Sequence, residues 1–498
     1  MHFDIIDGMK RICLFVFGLM TWEMIFSQII SFEHFKQEQE FLFEVMDSTQ
    51  RTTFDAYRKK LNTIYVDSLQ QKWKEYILSP PVLDISKYDT IPIIPQIISS
   101  PDSLSVPALL IREEKQEPIS VVPQPVAPIS PPEDVPYEEI SLLFYNTPIF
   151  IRIPINNHIS TKITKETHVA EVWKIFSQKE YDWILIDVLK LRSQLLLCDW
   201  AYVKLTQTIS ESIYGISNLA TTFQAYLLAN SGYDIRLAFS EKNLYIGIAT
   251  DLNLFEYPYL IKDDKAYFFT NKNVQKVKMA DAHYGGEHLL SLKINIEPKF
   301  SENFALPRHL KSENGISTTV LVNKNHIDFY NDYPATYKRN DIINKWSVHV
   351  DVPIGQSICT NLYSTLKEAI QGKTEYDAVS VILNFVQTAF DCQTDNLIWG
   401  KERSFYPTEM FYYPYSDCED RAILFSRLIR DLLGLNIILL YYPGHLSTAV
   451  AFTQNVEGYG VTYKDDLYIV CDPTFLGGQV GDIMPEYKNQ QARIIGLN

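Results

Sequence analysis

Three residues near the C-terminal end of the chain have side chains of the types that nucleophilic catalysis requires. Cys418 is a candidate nucleophile, His445 a candidate base and Asp472 a candidate carboxylate to orient that base. A thiol is only a few per cent ionised at neutral pH in ordinary surroundings, so a thiol enzyme needs a base beside the sulfur and a third group that fixes the base. The order of the three residues therefore predicts a Cys-His-Asp site.

A helix is predicted to carry the cysteine. In the stretch YSDCEDRAILFSRLIRDLLG, apolar residues recur at helical spacing, and Asp417 is a suitable N-cap for a helix that begins at Cys418. The partial positive charge at a helix start favours a thiolate. The negative charges of Glu419 and Asp420 oppose a thiolate, so a protonated His445 is the expected partner of the sulfur charge.

Two strands are predicted to carry the other two residues. HLSTAVAF begins at His445 after a Pro-Gly turn, and LYIVCDPT brings Asp472 to the end of a later strand. A helix followed by antiparallel strands can bring all three side chains to one edge. Each residue alone is more often structural than catalytic, and only their joint order favours the catalytic interpretation.

Residues 355–498 resemble the transglutaminase-like superfamily in SDCEDRAILFSRLIRDLLG, GHLSTAVAF and YIVCDPTF. The resemblance implies an α+β, papain-like domain that cleaves or transfers at an amide bond. It makes Cys418 the nucleophile, His445 the general base and acid, and Asp472 the orienting carboxylate, with the Cys418 amide as one oxyanion donor. It implies no cofactor and no metal, and no calcium-loop pattern is apparent.

A second oxyanion donor or a substrate contact is expected upstream of the cysteine. Trp399, Gln393 and Tyr415 are the candidates. For Trp399 a role as a core anchor is the alternative. The aromatic run FYPTEMFYYPY, which ends at Tyr415, either lines a substrate groove or packs over the helix.

The chain also contains an internal likeness. SNLATTFQAYLLANSGYDIRLAF resembles DCEDRAILFSRLIRDLLGLNIILLY, and FIRIPIN resembles VHVDVPIG. Counting from the shared glycine places Ile216 or Ser217, Asn243 and Asn271 where the second copy has its triad. Residues 137–280 are thus predicted to be a degenerate copy of the catalytic domain, unless the likeness arises by chance.

Four further segments complete the predicted organisation. The apolar run after Met9, an alternative start, predicts a signal peptide over 1–27, with an uncleaved anchor as the alternative. Residues 28–79 predict an amphipathic helical segment, either a stalk or a helix packed on the main body, in preference to a membrane-surface helix. Residues 80–136 hold 13 of the 25 prolines and predict a stiff linker. Residues 281–354 alternate in short runs and predict a β-rich bridge.

The composition of the chain limits the classes of partner and function that it can have. A formal charge of −15 and the lack of a basic run argue against a nucleic-acid partner. Five cysteines remain after the signal, an odd number that indicates at least one free thiol.

We expect an exported, periplasmic or envelope-associated cysteine peptidase or amidase acting on a peptide or protein. The alternatives are an acyl transferase with the same triad and a non-catalytic envelope scaffold. In a further alternative, the first copy recognises what the second cuts.

Overall fold

The computed structural model describes residues 48–81, 92–98, 125–155, 157–285, 288–338, 342–400 and 402–497. The fold is mixed, with 35% helix and 26% strand, and is compatible with the expected α+β class. The predicted signal peptide lies outside the described residues, as does most of the predicted linker. None of the helices in the described part of the chain is both long and apolar enough to cross a bilayer.

The helices are α1 (Ser48–Leu69), α2 (Glu166–Phe176), α3 (Asp182–Gln194), α4 (Asp199–Tyr214), α5 (Asn218–Asn230), α6 (Lys324–Asp332), α7 (Lys345–Asp351), α8 (Gln356–Ile370), α9 (Glu375–Thr388), α10 (Asp395–Ile398) and α11 (Cys418–Leu432). The strands are β1 (Lys74–Ile77), β2 (Pro92–Ile93), β3 (Gln96–Ile98), β4 (Tyr137–Phe144), β5 (Thr147–Pro154), β6 (Ile235–Ser240), β7 (Asn243–Ala249), β8 (Asn253–Leu254), β9 (Tyr259–Lys262), β10 (Lys265–Phe269), β11 (Lys276–Met279), β12 (Arg308–Lys311), β13 (Ser317–Val320), β14 (Thr336–Tyr337), β15 (Asp391–Cys392), β16 (Tyr415–Ser416), β17 (Ile437–Tyr442), β18 (His445–Ala451), β19 (Gly458–Tyr463), β20 (Asp466–Val470) and β21 (Ala492–Gly496).

Helix α1 packs on the body of the protein. Tyr65 is buried against Trp173 of α2, with ring centroids 4.7 Å apart, and against Tyr284. Arg58 forms a buried ion pair with Asp182 of α3. The helix therefore contributes to a hydrophobic core, as expected for the amphipathic segment.

Two antiparallel sheets share one strand order. In the N-terminal half, 125–285, the order is β11-β6-β7-β10-β9, and in the C-terminal half, 342–497, it is β21-β17-β18-β20-β19. Along the chain, a helix directly precedes the first of these five strands in each half: α5 precedes β6, and α11 precedes β17. The helix, strand and strand order of the second half thus recurs in the first.

Each sheet is closed by an extended segment from the N-terminal region. Strands β2 and β3 are only two residues apart, yet β2 pairs with β21 and β3 pairs with β19, at opposite edges of the same sheet. In the first sheet β1 pairs with β11, and Ser79 just beyond it pairs with Tyr259 of β9. Both curled sheets are therefore bridged across their edges, which removes unpaired edge strands.

This closure corrects the prediction of a linker over 80–136. Residues 92–98 are a part of the C-terminal sheet rather than a free spacer. Proline is tolerated at the first position of a strand, where Pro92 lies, so the proline-rich composition hid a pairing segment.

The prediction of a β-rich bridge over 281–354 holds in part: ISTTVLVN contributes β13, which pairs antiparallel with β12. Two other runs of this region are helical and correct the prediction. HIDFYNDY lies mostly in α6, and WSVHVDVP lies mostly in α7. The Asn323 side chain caps α6 by accepting from the Asn325 amide, and the buried Ile327 and Tyr330 are three residues apart. Local capping and helical spacing outweighed the alternating pattern in this stretch. Consequently FIRIP, in strand β5, and VHVD, at the end of helix α7, are not structural equivalents.

We expect Ile98→Asp to release the closing segment of the C-terminal sheet. Ile98 packs against the hydrophobic core that is formed by helices α8, α9 and α11, whereas the side chain of the neighbouring Ile97 is 70% exposed. Burying a carboxylate in place of the apolar side chain should lower the free energy of unfolding by about 2 kcal/mol. Chemical denaturation, with limited proteolysis around residues 92–98, measures the effect. Ile97→Asp is the matched control, and equal behaviour of the two variants would contradict the docking of this segment.

Candidate active site

Cys418 is the first residue of α11. The preceding Asp417 forms a capping box with Asp420, in which the Asp417 amide donates to Asp420 Oδ2 at 3.2 Å. Asp420 is fully buried and also accepts from the Phe405 amide. The start of the helix is thereby fixed, and with it the position of the thiol.

The thiol lies against the beginning of β18. The backbone amide of Leu446 lies close enough to the Cys418 sulfur to lower the pKa of the thiol. The thiol donates its hydrogen bond to Glu419 Oε2, with 3.6 Å between sulfur and oxygen. Leu446 follows His445 in the strand, so the predicted nucleophile lies near the start of the strand that carries the predicted base, but among the described residues no hydrogen bond joins the Cys418 thiol to the His445 imidazole.

His445 and Asp472 are buried and paired. His445 Nε2 lies 2.8 Å from Asp472 Oδ2, and Asp472 Oδ1 accepts from the Thr474 amide at 3.0 Å. An ionised carboxylate only accepts hydrogen bonds, so Nε2 carries the proton and Nδ1 is the ring nitrogen that can accept one. The geometry is that of a base held by an orienting carboxylate.

Tyr487 covers one face of the imidazole. Its ring is nearly parallel to that of His445, with centroids 4.7 Å apart, and it also contacts Tyr442. The pKa of Tyr487 is raised mainly by burial, with smaller effects from Glu486, Cys418 and Asp472. Nothing in the residues around position 487 identified it in the sequence as a neighbour of the site.

Carboxylates surround the sulfur. Ligand oxygens of Asp395, Glu402, Asp417 and Glu419 all lie within 4.8 Å of one another. Burial first, and then Glu419 and Asp417, raise the pKa of the Cys418 thiol well above its ordinary value. The expected preference of the helix start for a thiolate is therefore outweighed, since desolvation and two nearby negative charges both disfavour it.

Burial and the close approach of these carboxyl groups also raise the pKa values of some of the carboxyl groups themselves. The pKa of Asp417 is raised by burial and then by Glu419 and Asp395, and burial raises the pKa of Asp395 to about 6. Among the described residues, these carboxylates and the Cys418 sulfur are the side chains whose ligand atoms are close enough to share a cation. The cluster sits at the candidate nucleophile and belongs to its electrostatics.

A buried amide and a buried guanidinium support the loop that carries Asp472. The side-chain amide of Gln387 in α9 donates to the carbonyl oxygens of Asp472, Phe475 and Gly478, at 3.0, 2.8 and 3.1 Å. Arg421 of α11 donates to the backbone oxygen of Gln387 at 3.1 Å. This network ties the nucleophile helix to the strand end that orients the base, and no local sequence pattern indicated it.

The three upstream candidates lie near the site in different ways. The backbone amide of Gln393 donates to the Ser416 oxygen at 3.1 Å, and Tyr415 is exposed in β16, just before α11. Trp399 packs edge to face against Tyr413, with centroids 4.9 Å apart, and the Arg403 guanidinium lies 4.6 Å from its ring centre. These contacts give Trp399 the packing role that was its alternative, and the oxyanion role of all three stays a prediction.

The N-terminal half has polar residues in place of the triad. Asn218 is the first residue of α5, as Cys418 is of α11, and its Oδ1 accepts from the Leu244 amide at 2.8 Å, at the strand position where Leu446 lies beside the Cys418 sulfur. Asn218 Nδ2 donates to two backbone oxygens, so the side chain is held in place. The residue equivalent to the nucleophile is therefore Asn218, and not Ile216 or Ser217 as predicted.

The physical reason is helix length. Helix α5 has 13 residues and α11 has 15, so counting back from the shared glycine overshot the helix start. The other two predicted equivalents agree with the structure. Asn243 begins β7 as His445 begins β18, and Asn271 Oδ1 accepts from the amide two residues later, as Asp472 Oδ1 does.

All five cysteines of the described chain are free thiols: Cys198, Cys359, Cys392, Cys418 and Cys471. No protein family, no characterised protein and no solved structure matches the chain.

We expect Gln387→Leu to destabilise the protein, because it leaves three carbonyl oxygens near Asp472 without their donor. The free energy of unfolding should fall by about 2 kcal/mol. Gln371→Leu makes the same change at an exposed position and should have little effect. Denaturant titration of both variants measures the difference, and a Gln387 variant as stable as the wild type would contradict the supporting role.

Proposed function

We propose that the protein is a cysteine hydrolase of the transglutaminase-like superfamily that cleaves an amide bond in a peptide or protein. The observation that supports this most directly is the buried 2.8 Å contact between His445 and Asp472, with His445 in the strand that begins beside the helix start that carries Cys418. A papain-like arrangement of the C-terminal half belongs to the same proposal. So does descent of the two halves from one duplicated domain, which their common strand order supports.

In the proposed reaction His445 Nδ1 takes the thiol proton while the sulfur attacks the substrate carbonyl carbon. The carbonyl electrons move to oxygen, and the amide of Cys418 at the helix start stabilises that oxyanion. The C–N bond then breaks as the amine leaves with the proton from His445. Water, deprotonated by the same imidazole, attacks the thioester and releases the acid, which restores the thiol.

The resting thiol makes the timing of proton transfer important. Glu419 and Asp417 disfavour a free thiolate, so the proton must leave as the sulfur attacks rather than beforehand. Asp472 makes this feasible because it stabilises the imidazolium that forms on His445.

Two alternatives use the same geometry. An amine in place of water would make the protein an acyl transferase. The raised thiol pKa and the asparagines at positions 218, 243 and 271 favour, as the second candidate, a non-catalytic scaffold in the cell envelope. Export to the periplasm or envelope is likewise part of the proposal, and it depends on residues 1–27, outside the described chain.

We expect Cys418→Ala to abolish product formation when the protein is incubated with a mixture of peptides and cell-wall fragments. Mass spectrometry distinguishes hydrolysed from crosslinked products, and so hydrolase from transferase. Cys392→Ala is the matched control, because Cys392 is exposed and lies outside the proposed triad. Products from the control and none from Cys418→Ala would support the proposal, whereas unchanged products in Cys418→Ala would overturn it.

A further inference from the structure

A large cavity lies between the two halves of the molecule. Its volume is about 1310 Å³, and its walls come from both halves. The N-terminal half contributes Asn218, Asn243 and Asn271, the three positions that correspond to the triad. The C-terminal half contributes Trp399 and Ser404. These three asparagines therefore line the cavity between the two halves, and other side chains do not cover them completely.

The cavity wall is one side chain away from the nucleophile. Ser404 Oγ donates to Glu419 Oε1 at 3.4 Å, and Glu419 Oε2 accepts from the Cys418 thiol at 3.6 Å. Glu419 therefore stands between the cavity and Cys418, and a ligand that filled the cavity would lie one side chain away from the thiol.

The charges in the wall are largely compensated. Lys204 lies 3.6 Å from Asp332, and the Arg403 guanidinium is paired with the buried Glu409. A polyanion would need unpaired cations along its path, so this wall does not suit one. The ligand is better matched by a neutral, polar chain.

Amide and aromatic side chains supply the remaining wall. Gln207, Gln224 and Asn243 are among the amides, and Tyr257 is among the aromatic residues. A side-chain amide offers both a donor and an acceptor, which is the complement of a peptide group. The volume exceeds the range of roughly 300–1,000 Å³ that is usual for small-molecule sites, which favours an oligomeric ligand.

We propose that the N-terminal half is a substrate-binding wall, and that the cavity holds an extended polypeptide segment of the substrate beside the bond presented to Cys418. This inference rests on the proposed function and adds the location and the chemical class of the substrate contacts. Ile216, which is 92% exposed and lines the same cavity, provides an apolar contact for a substrate side chain.

The test compares two reagents that react with Cys418 and differ in length. Iodoacetamide reaches the thiol without filling the cavity, whereas hexapeptidyl chloromethyl ketones of mixed sequence occupy the cavity as they react. Asn243→Trp places a large ring in the cavity at an exposed position. We expect it to slow labelling by the peptidyl reagents about tenfold, with iodoacetamide labelling unchanged, because remote binding energy is lost. Mass spectrometry of the peptide that contains Cys418 gives both rates.

Two further variants make the result decisive. Lys278→Trp puts the same ring on an exposed position of β11, outside the cavity, and should behave as the wild type. Ile216→Glu alters the cavity at a residue with almost no packing, so that folding is not at risk, and should slow only the peptidyl reagents. Unchanged peptidyl labelling in both cavity variants, or an equal loss with iodoacetamide, would overturn the substrate wall. A wild-type protein whose Cys418 reacts with iodoacetamide but with no peptidyl reagent would instead overturn the proposed function.

Discussion

One contact fixes the geometry of both halves: the side chain at the start of a helix lies against the backbone amide of the second residue of the second sheet strand. In the N-terminal half the Leu244 amide donates a hydrogen bond to Asn218, and in the C-terminal half the Leu446 amide lies beside the Cys418 sulfur and lowers the pKa of the thiol. The contact requires that the helix and the sheet keep a constant position relative to each other. The capping box at Asp417 holds the helix start, and the bridged edges of the sheet hold the strand.

The two halves differ in what this shared contact serves. In the N-terminal half Asn218 makes three hydrogen bonds to the backbone, and its equivalents of base and carboxylate are neutral amides. In the C-terminal half the position holds a thiol, and the neighbouring strands provide a buried imidazole and carboxylate. The carboxylates around the sulfur impose an electrostatic cost on the thiolate, so the chemistry that we propose depends on His445.

The elements of the site could be predicted from the sequence, whereas most of their surroundings could not. Cys418, His445 and Asp472 could be placed because helix caps and strand ends leave local signals in the chain. Gln387 and Tyr487 could not, because their contacts with Asp472 and His445 join distant segments and follow no local pattern. Whether the C-terminal half is papain-like stays a prediction.

Two errors in the predicted fold have different origins. The segment at 92–98 resembled a linker because its partners, β19 and β21, lie more than 300 positions later in the chain. Alternating residues around α6 and α7 resembled strands because the pattern alone does not register capping by Asn323. Long-range pairing, which a short window of sequence does not contain, decided the first case. Local capping and helical spacing decided the second, where the alternating pattern was a weaker signal.

The pH dependence of Cys418 alkylation tests the central claim, that a site of this geometry keeps its nucleophile as a thiol in the resting protein. Iodoacetamide labelling should accelerate as the pH rises from about 6 to about 10, since burial, and then the charges of Glu419 and Asp417, raise the thiol pKa. Glu419→Gln should shift the profile to lower pH by about one unit, because it removes one of those charges. Glu368→Gln, at an exposed position of α8, should leave the profile unchanged. A rate that is constant across this range and indifferent to Glu419 would contradict the account, since it would show a thiolate already formed at rest.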